Sequence, residues 1–169
     1  MEKKGSLPLF LVFIASGDLS GTIPSEVGDL PFVAYLVLAD NINVTGTIPK
    51  SISKLKYLFH LDLGRNSLTG PIPNELFKLK KLKEVDLSVN HLSGAIPPSI
   101  LSLSSLSQFN ISHNNFTDLI PSLPKSLKSI DVSYNQLCGP VPSGLKGFGR
   151  ANFEHNKCLC GPPLLQGCK

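Results

Sequence analysis

The chain has 169 residues, a length that suits one domain or one array of repeats. Charged residues make up 17% and hydrophobic residues 41% of the sequence, which excludes an intrinsically disordered chain. The net charge of +4 is far below the dense positive charge of a nucleic-acid-binding protein, so we expect no nucleic-acid partner. Glycine and proline, with 14 residues each, are unusually frequent. This excess indicates a fold with many turns.

The first predicted element is an apolar run at residues 7–15, preceded by charged residues and followed by small ones. This layout is typical of a secretory signal peptide, so we expect residues 1–17 to be a signal peptide that is cleaved after its last residue. The run is too short to span a bilayer, which needs about 20 residues, and no later stretch is long enough. Val12 and Ile14 also fall in phase with the repeat described next, so a first repeat beginning near residue 9 is the alternative interpretation.

One motif recurs through the rest of the chain. Apolar residues in the pattern L-x-L-x-x-N lead to an asparagine in most copies, and L-x-G-x-I-P follows in most of them. The repeated asparagines are Asn41, Asn66, Asn90, Asn114, Asn135 and Asn156, with spacings of 25, 24, 24, 21 and 21 residues. This is the leucine-rich repeat pattern, and we expect about six copies over residues 18–137.

Each position of the repeat has a physical reason. The alternating apolar residues point inward from a short strand, while the residues between them face solvent on the concave side of a stacked parallel sheet. A buried asparagine can satisfy backbone groups that the following turn leaves unpaired, so we interpret the asparagine column as architecture. These features predict an α/β solenoid: a right-handed leucine-rich repeat superhelix with a concave parallel β-sheet.

Two copies depart from the pattern. One extra residue follows Asn41, which predicts a bulge in that turn. In the fifth copy Asp118 replaces the glycine and the outer connection is shorter, which accounts for the smaller spacing there. We expect tighter local curvature around this copy.

All four cysteines lie near the C-terminus, at Cys138, Cys158, Cys160 and Cys168. A solenoid exposes an apolar edge at each end, so we expect residues 138–169 to form the last repeat remnant and a disulfide-bonded C-terminal cap. Cys158 and Cys160 are poorly placed to bridge each other, which leaves Cys138–Cys158 with Cys160–Cys168, or the crossed arrangement. A zinc site is less favoured because the spacing lacks a second close pair, and we expect no metal and no cofactor.

The tail reads N-K-C-L-C-G-P-P-L at residues 156–164 and follows the L-x-G-x-I-P copies. With these motifs the chain resembles plant extracellular leucine-rich repeat proteins and, more narrowly, the polygalacturonase-inhibiting proteins. The resemblance covers residues 18–169 and implies the pairing Cys138–Cys158 with Cys160–Cys168. It also implies a secreted cell-wall protein of plant defence that binds and inhibits a fungal endopolygalacturonase through its concave face. A truncated receptor-like ectodomain relative, which binds a protein or peptide in signalling, is the alternative.

The solvent-facing strand positions carry charges of both signs together with tyrosine and arginine, which suits recognition of a protein surface. These candidate binding residues are Tyr35, Asp40, His60, Asp62, Arg65, Lys83, Glu84, Asp86, Gln108, Asn110, His113, Lys128, Asp131 and Tyr134. An ordinary solvated sheet face is the alternative for each residue taken alone. A basic cluster is a candidate contact for polyanionic pectin, with solvated surface lysines as the alternative. Its members are Lys54, Lys56, Lys78, Lys80, Lys81 and Lys83.

Three N-x-S/T motifs, at Asn43, Asn110 and Asn115, are candidate glycosylation sites in an exported chain. Asn110 lies on a predicted concave strand, where a glycan would obstruct binding. The four histidines lie in separate repeats, and no serine or cysteine carries the motif of a catalytic nucleophile. The sequence therefore predicts a binding protein and not an enzyme.

Overall fold

The computed structural model describes residues 10–17 and 19–168. In chain order its strands are β1 (Phe10–Phe13), β2 (Ser20–Thr22), β3 (Val33–Val37), β4 (Asn43–Gly46), β5 (His60–Asp62), β6 (Ser67–Gly70), β7 (Glu84–Asp86), β8 (His91–Ala95), β9 (Gln108–Asn110), β10 (Asn115–Thr117), β11 (Ser129–Asp131), β12 (Cys138–Pro140) and β13 (Cys158–Cys160). The 3₁₀ helices are Ser25–Asp29, Lys50–Lys54, Asn74–Lys78, Pro98–Ser102, Ser143–Leu145 and Arg150–Phe153.

The strands build two long parallel sheets that follow the repeats. The first sheet has six strands in the order β1-β3-β5-β7-β9-β11, and the second has five in the order β10-β8-β6-β4-β2. The first five coils therefore each contribute one strand to each sheet before the chain returns through an outer connection, whereas after β11 the next strand, β12, pairs with β13 in a separate two-stranded sheet. This arrangement confirms the predicted leucine-rich repeat solenoid with its parallel sheet. The second sheet was not among the elements that the sequence pattern predicts.

The apolar positions of the repeat line the interior between the sheets. The central residues of the first-sheet strands stand in register and are at most 2% exposed; they are Leu36, Leu61, Val85, Phe109 and Ile130. Burial of one coil's apolar side by the next is the main stabilising contribution in an array of this kind.

The outer connections begin where proline ends the second-sheet strand. The residues that precede the first four 3₁₀ helices are Pro24, Pro49, Pro73 and Pro97. Proline fixes its own φ and has no N–H to donate, so it stops the strand and starts the turn. In the fifth copy residues 121–128 contain no helix, and the tighter curvature expected around this copy stays a prediction.

Buried asparagines join successive coils. The Asn90 side-chain amide donates to the carbonyl oxygen of Leu87 in its own coil at 3.2 Å and to that of Leu63 in the preceding coil at 2.9 Å. Its oxygen accepts the N–H of Leu68 at 2.9 Å. The same pattern recurs at Asn66, Asn114, Asn135 and Asn156. The column is therefore architecture, as the sequence predicts.

The glycine of the motif occupies a position where most other residues would have a strained backbone and a close contact with the preceding coil. Gly46 has φ of +77°, and a Cβ atom there would lie 2.8 Å from Cγ2 of Thr22 in the preceding coil. Asp118, which replaces this glycine in the fifth copy, keeps a positive φ of 67°. Aspartate enters this left-handed region more readily than most residues, so the backbone turn is preserved without glycine.

The extra residue after Asn41 forms the predicted bulge. Ile42 is 74% exposed, and the N–H of Val44 donates to the carbonyl oxygen of Asn41 at 2.8 Å, which closes a tight turn. The inserted residue therefore projects into solvent while the repeat phase resumes behind it.

At the N-terminal end, β1 pairs in parallel with β3 and places Val12 beside Leu36. The N–H of Ile14 donates to the carbonyl oxygen of Val37 at 2.9 Å. This is the arrangement expected if the repeat begins before the predicted cleavage point. Residues 1–9 lie outside the described residues, and the signal peptide stays a prediction.

The C-terminal cap is held by two disulfides, Cys138–Cys158 and Cys160–Cys168. This is the pairing that the family resemblance implies. Strands β12 and β13 pair in parallel beside the first bridge, and Leu159 between the cap cysteines is 1% exposed. The cap thus covers the last coil with a small core that the disulfides fasten.

Candidate functional site

The outward side of the first sheet carries most of the predicted binding residues in rows across the strands. One row consists of Tyr35, His60, Glu84, Gln108 and Ser129, which stand in register. A second row consists of Val37, Asp62, Asp86, Asn110 and Asp131. Because side chains alternate along a strand, both rows flank the central residues on the outward side of the sheet, where Val37 is the one member that is buried, at 7% exposed. We call this surface the first-sheet face.

The acidic residues of the second row are tied to their own backbone turns. Asp62 accepts the N–H of Gly64 at 2.9 Å. Asp86 accepts both the N–H of Ser88, at 2.8 Å, and its hydroxyl, at 2.6 Å. Asp131 caps its turn in the same way. These carboxylates stabilise the turn that follows each strand. A binding partner can therefore donate hydrogen bonds only to the lone pairs that the turn leaves free.

Burial raises the pKa of Asp62, because the charged carboxylate loses water contacts. The charge of the neighbouring Asp86 raises the pKa further, while the hydrogen bond from Gly64 opposes both effects. Carboxylates that crowd along the row thus make the middle of the face electrostatically unfavourable for additional negative charge.

Beside this row, His60 and Glu84 form a pair on adjacent strands. His60 Nδ1 lies 2.7 Å from a Glu84 carboxylate oxygen, and both side chains are about a quarter to a third exposed. The Tyr35 ring lies 5.9 Å from the His60 ring between centroids. The pair fixes the orientation of both side chains and leaves the tyrosine free at the surface.

The residues just before the repeated asparagines form a column of exposed side chains at one edge of the first-sheet face. These positions adopt positive φ, from 53° to 58°, at Asp40, Arg65, Val89, His113, Tyr134 and His155. Arg65 Nε lies 3.7 Å from Asp40 Oδ1. The rings of His113, Tyr134 and His155 stack with centroids 4.1 Å apart at each step. We call these three residues the ring stack.

The opposite edge of the first-sheet face carries lysine and aromatic side chains. Lys83 Nζ lies 4.8 Å from the centre of the Phe59 ring, and Lys81 Nζ lies 4.5 Å from the Tyr57 ring. Phe59 also contacts Tyr35, with centroids 5.7 Å apart. Cationic groups above aromatic rings present a combined apolar and positive surface.

The predicted residues are thus brought together on one face but in three different settings. The strands themselves carry Tyr35, His60, Glu84 and Gln108, which lie beside the aspartates of the second row. The turn edge carries Asp40, Arg65, His113 and Tyr134. The edge where the strands begin carries Lys83 and Lys128. Sequence reasoning missed His155 and Phe59. His155 precedes Asn156 just as His113 precedes Asn114, so the repeat phase contains the signal.

The basic cluster divides between this edge and the outer connections. Lys54 and Lys78 lie in 3₁₀ helices, and Lys54 forms an ion pair with Asp29 at 2.9 Å. Only Lys81 and Lys83 combine with aromatic rings, so they are the members of the cluster placed beside the first-sheet face.

Within residues 10–17 and 19–168, histidine, cysteine and acidic side chains do not gather in any group of three or more suited to a metal ion. In the same residues we find no helix with the length and apolar character needed to cross a membrane.

The repeats match known family models. Residues 31–92 match a model described as "Leucine rich repeat", and residues 105–127 and 126–148 match another described as "Leucine Rich Repeat".

Among curated proteins, the chain is similar to Polygalacturonase inhibitor 2 of Arabidopsis thaliana, with 54% identity over 41 residues. That stretch covers 23% of this chain and 12% of the inhibitor, so the likeness spans only a small part of the relative's length.

Two solved structures are similar over much more of the chain. A structure titled "Crystal Structure of a Pollen Receptor Kinase 3" has a TM-score of 0.81 and 39% identity, covering 90% of this chain and 76% of that one. The plant peptide hormone receptor RGFR1 in complex with RGF2 has a TM-score of 0.74 and 34% identity, covering 86% of this chain and 23% of that one.

Proposed function

Because the chain belongs to the leucine-rich repeat family, we propose that it is an extracellular plant binding protein that binds a fungal endopolygalacturonase and inhibits it at the cell wall. The likeness to a polygalacturonase inhibitor supports this choice of partner. Inhibition in this proposal occurs by covering the enzyme's substrate cleft, with no catalytic step and no cofactor. The role is plant defence.

The observation that carries the proposal is the first-sheet face with its exposed rings. Tyr35 is 43% exposed and Tyr134 is 45% exposed, while the apolar residues behind them are buried. Rigidly held aromatic side chains contribute strongly to protein interfaces because binding orders them at little entropic cost. Stacking fixes Tyr134 before any partner arrives, so this residue is the proposed main aromatic contact at the turn edge of the face.

The size of the surface sets a requirement on the partner. Six strands about 4.8 Å apart and about five residues wide give a projected area on the order of 500 Å². A standard protein interface covers about 800 Å² on each side. The turn edge with the ring stack and the lysine edge with Phe59 must therefore both take part in a stable complex.

Pectin is a second proposed contact of the same protein. The ammonium groups of Lys81 and Lys83 lie over the rings of Tyr57 and Phe59, so a negatively charged sugar chain would meet apolar and positive surface together. Weaker retention on pectin for the variant Lys81→Gln, Lys83→Gln than for Lys54→Gln, Lys78→Gln, which removes the same charge from the outer connections, would support this edge as the contact. Equal retention of the two variants would contradict it.

Receptor-like binding in signalling is the second candidate function. It is favoured by the likeness to receptor ectodomains, which extends over most of the chain, whereas the inhibitor likeness is short. In this case the first-sheet face would bind a peptide or a co-receptor ectodomain.

One titration separates these candidates. The full chain, purified from the medium of a secreting eukaryotic host, is added to a panel of fungal endopolygalacturonases while reducing-end release is measured. Inhibition that saturates with added chain, and that a reduced and unfolded sample lacks, supports the inhibitor function. Undiminished activity and no binding across the panel would remove it and leave receptor-like binding.

Export is part of the proposal because a cell-wall partner requires it. The two disulfides are typical of proteins that fold in an oxidising compartment. Cleavage of residues 1–17 as a signal peptide is the proposed route, and N-terminal sequencing of the secreted chain tests it.

A further inference from the structure

We propose that the exported protein carries N-linked glycans at Asn43 and Asn115, while Asn110, which has the same sequence motif, stays unmodified. The three sites differ in their structural setting and not in their motif. This inference concerns sites of modification and rests on the proposed export, independently of which partner the protein binds.

Asn43 and Asn115 lie on the outward side of the second sheet. Asn43 opens β4 and Asn115 opens β10; both side chains are exposed. The next residue in each strand, Val44 or Phe116, is buried at 5% exposure or less, so the alternation points both asparagines away from the core. A sugar attached at either amide extends into solvent without displacing an internal contact.

Asn110 is built into the first-sheet face. Its side-chain oxygen accepts the N–H of Ser112 at 3.1 Å and the hydroxyl of Ser112 at 2.9 Å. Its amide nitrogen donates to Asp86 Oδ2 at 3.1 Å. Ser112, the residue that completes the sequence motif, is only 6% exposed. Both ends of this amide are therefore occupied by contacts that hold adjacent strands and the following turn.

The neighbours of Asn110 leave little room for a sugar ring. Asp86 and Asp131 stand beside it in register on the two flanking strands, each about 4.8 Å away across the sheet. A ring bonded to the amide nitrogen replaces one of its two hydrogens, so the ring and the Asp86 carboxylate would compete for the space beside this nitrogen. Folding with this glycan would thus crowd the contacts of Asn110 with Asp86 and Ser112 on the first-sheet face.

The modification itself is a group transfer from a lipid-linked oligosaccharide diphosphate. The asparagine Nδ2 forms a bond to C1 of the first sugar, and the bond from C1 to the diphosphate oxygen breaks. The diphosphate leaves with the electron pair, and one amide hydrogen leaves as a proton. Nothing is oxidised or reduced, so export is the only requirement beyond the motif and its accessibility.

The proposed glycans would cover one side of the molecule and leave another free. The outward positions of the second-sheet strands are mostly small and polar; they include Ser20, Thr22, Thr45, Ser67, Thr69 and Ser93. Such a surface offers a protein partner little apolar area to bury. Sugars on the second sheet therefore leave the first-sheet face unobstructed, which the proposed binding function requires.

The test is glycopeptide mapping of the full chain recovered from the medium of a plant or insect expression host. Enzymatic removal of the glycans in heavy-oxygen water labels each asparagine that carried one. We expect labels at Asn43 and Asn115 and none at Asn110. Thr45→Ala and Thr117→Ala should each remove one glycan from the intact mass. Ser112→Ala and Asn110→Gln, as matched controls, should leave the glycan mass unchanged.

A label at Asn110 in folded secreted protein, or an unlabelled Asn43 or Asn115, would overturn the inference. If the chain is found in the medium with such a pattern, export has occurred and only the inference about the glycosylation sites is contradicted. A chain that never enters the secretory pathway contradicts the export proposal and this inference together. Binding to an endopolygalacturonase plays no part in the readout, so the proposed inhibitor function stands or falls separately.

Discussion

The Tyr134 ring lies against the His155 ring, with centroids 4.1 Å apart and planes 17° apart, although 21 residues separate them in sequence. Each residue directly precedes an asparagine of the column and adopts a positive φ, so the repeat itself brings the two rings to the same place in successive coils. His113 extends the stack by one further coil. Three exposed rings are thereby held in a fixed arrangement by the backbone of the solenoid.

The ring stack gives the first prediction. Tyr134→Ala should weaken binding to an inhibited endopolygalacturonase by about 2 kcal/mol, or roughly 30-fold in Kd, because a preorganised aromatic contact is lost. Kd is measured by titration calorimetry. Thr69→Ala, on the outward side of the second sheet, is the control and should leave Kd unchanged. Equal affinity for Tyr134→Ala and the unmodified chain would remove the stack from the interface.

The second prediction concerns the asparagine column. Asn90→Ala removes the partner of the Leu68 N–H and of three carbonyl oxygens, at Leu63, Leu87 and Ser88. Leaving buried backbone groups unpaired should lower the free energy of unfolding by about 3 kcal/mol. The measurement is a urea unfolding curve followed by circular dichroism. Asn74→Ala, at an exposed site, should change the value by less than about 0.5 kcal/mol. Similar losses in both variants would contradict the structural role.

The third prediction concerns the cap. Replacing Cys138 and Cys158 by serine opens a loop with a sequence separation of 20 residues and should lower the free energy of unfolding by about 3 kcal/mol. The Cys160–Cys168 bridge closes a shorter loop, with a sequence separation of 8 residues. On the chain-entropy model its removal should lower the free energy of unfolding by roughly 0.7 kcal/mol less than removal of the first bridge. Urea midpoints of the two double variants, taken with and without reductant, give the comparison. A larger loss on removing the shorter loop would show that packing of the cap outweighs loop closure.

The fourth prediction concerns Asp62. Burial raises its pKa above the usual value of 3.8, so the folded state binds a proton more readily than the unfolded state does. The contribution of this group to stability therefore falls as pH rises from about 3.8 through the raised folded-state pKa. Asp62→Asn keeps an oxygen to accept the Gly64 N–H and removes the buried charge, so it should be at least as stable as the original protein at pH 7.

The advantage of Asp62→Asn should disappear below pH about 3.8, where the carboxyl is protonated in both states. Urea unfolding at several pH values measures this. Asn110 occupies the same row naturally and makes the equivalent bond to Ser112, which shows that the amide fits. Asp131→Asn is the control, because its turn bond is the same and Asn110 separates it from the other acids of the row. A variant less stable than the original at pH 7 would contradict the prediction.

Much of this fold follows from periodicity. The alternating residues before each asparagine predict the first sheet, and the phase predicts which side chains reach the core, as Leu61 and Phe109 do. The second sheet is missed because its strands pass through a glycine such as Gly46, which reads as a turn in the sequence. The disulfide pairing came from family resemblance, since cysteine spacing alone left two arrangements.

The candidate site is harder to predict because alternation gives direction but not partners. Asp62 and Asp86 face away from the core as expected, yet each carboxylate accepts a hydrogen bond from its own turn. Nothing in the spacing distinguishes an aspartate that supports its backbone from one that is free to bind. His155 is missed for a different reason: it lies after the last clear copy of the motif, where the pattern merges into the cap.

The asparagine column has a consequence for the ways in which such a gene can change length. Asn90 finds its backbone partners in its own coil and in the one before, and Asn114 finds equivalent partners one coil later. Deleting or duplicating one whole coil among the regular copies therefore leaves each neighbouring asparagine with an equivalent set of carbonyl and N–H groups. A deletion of half a coil would leave an amide facing the wrong carbonyls. Recombination in steps of a single coil is thus the change in length that this architecture tolerates best.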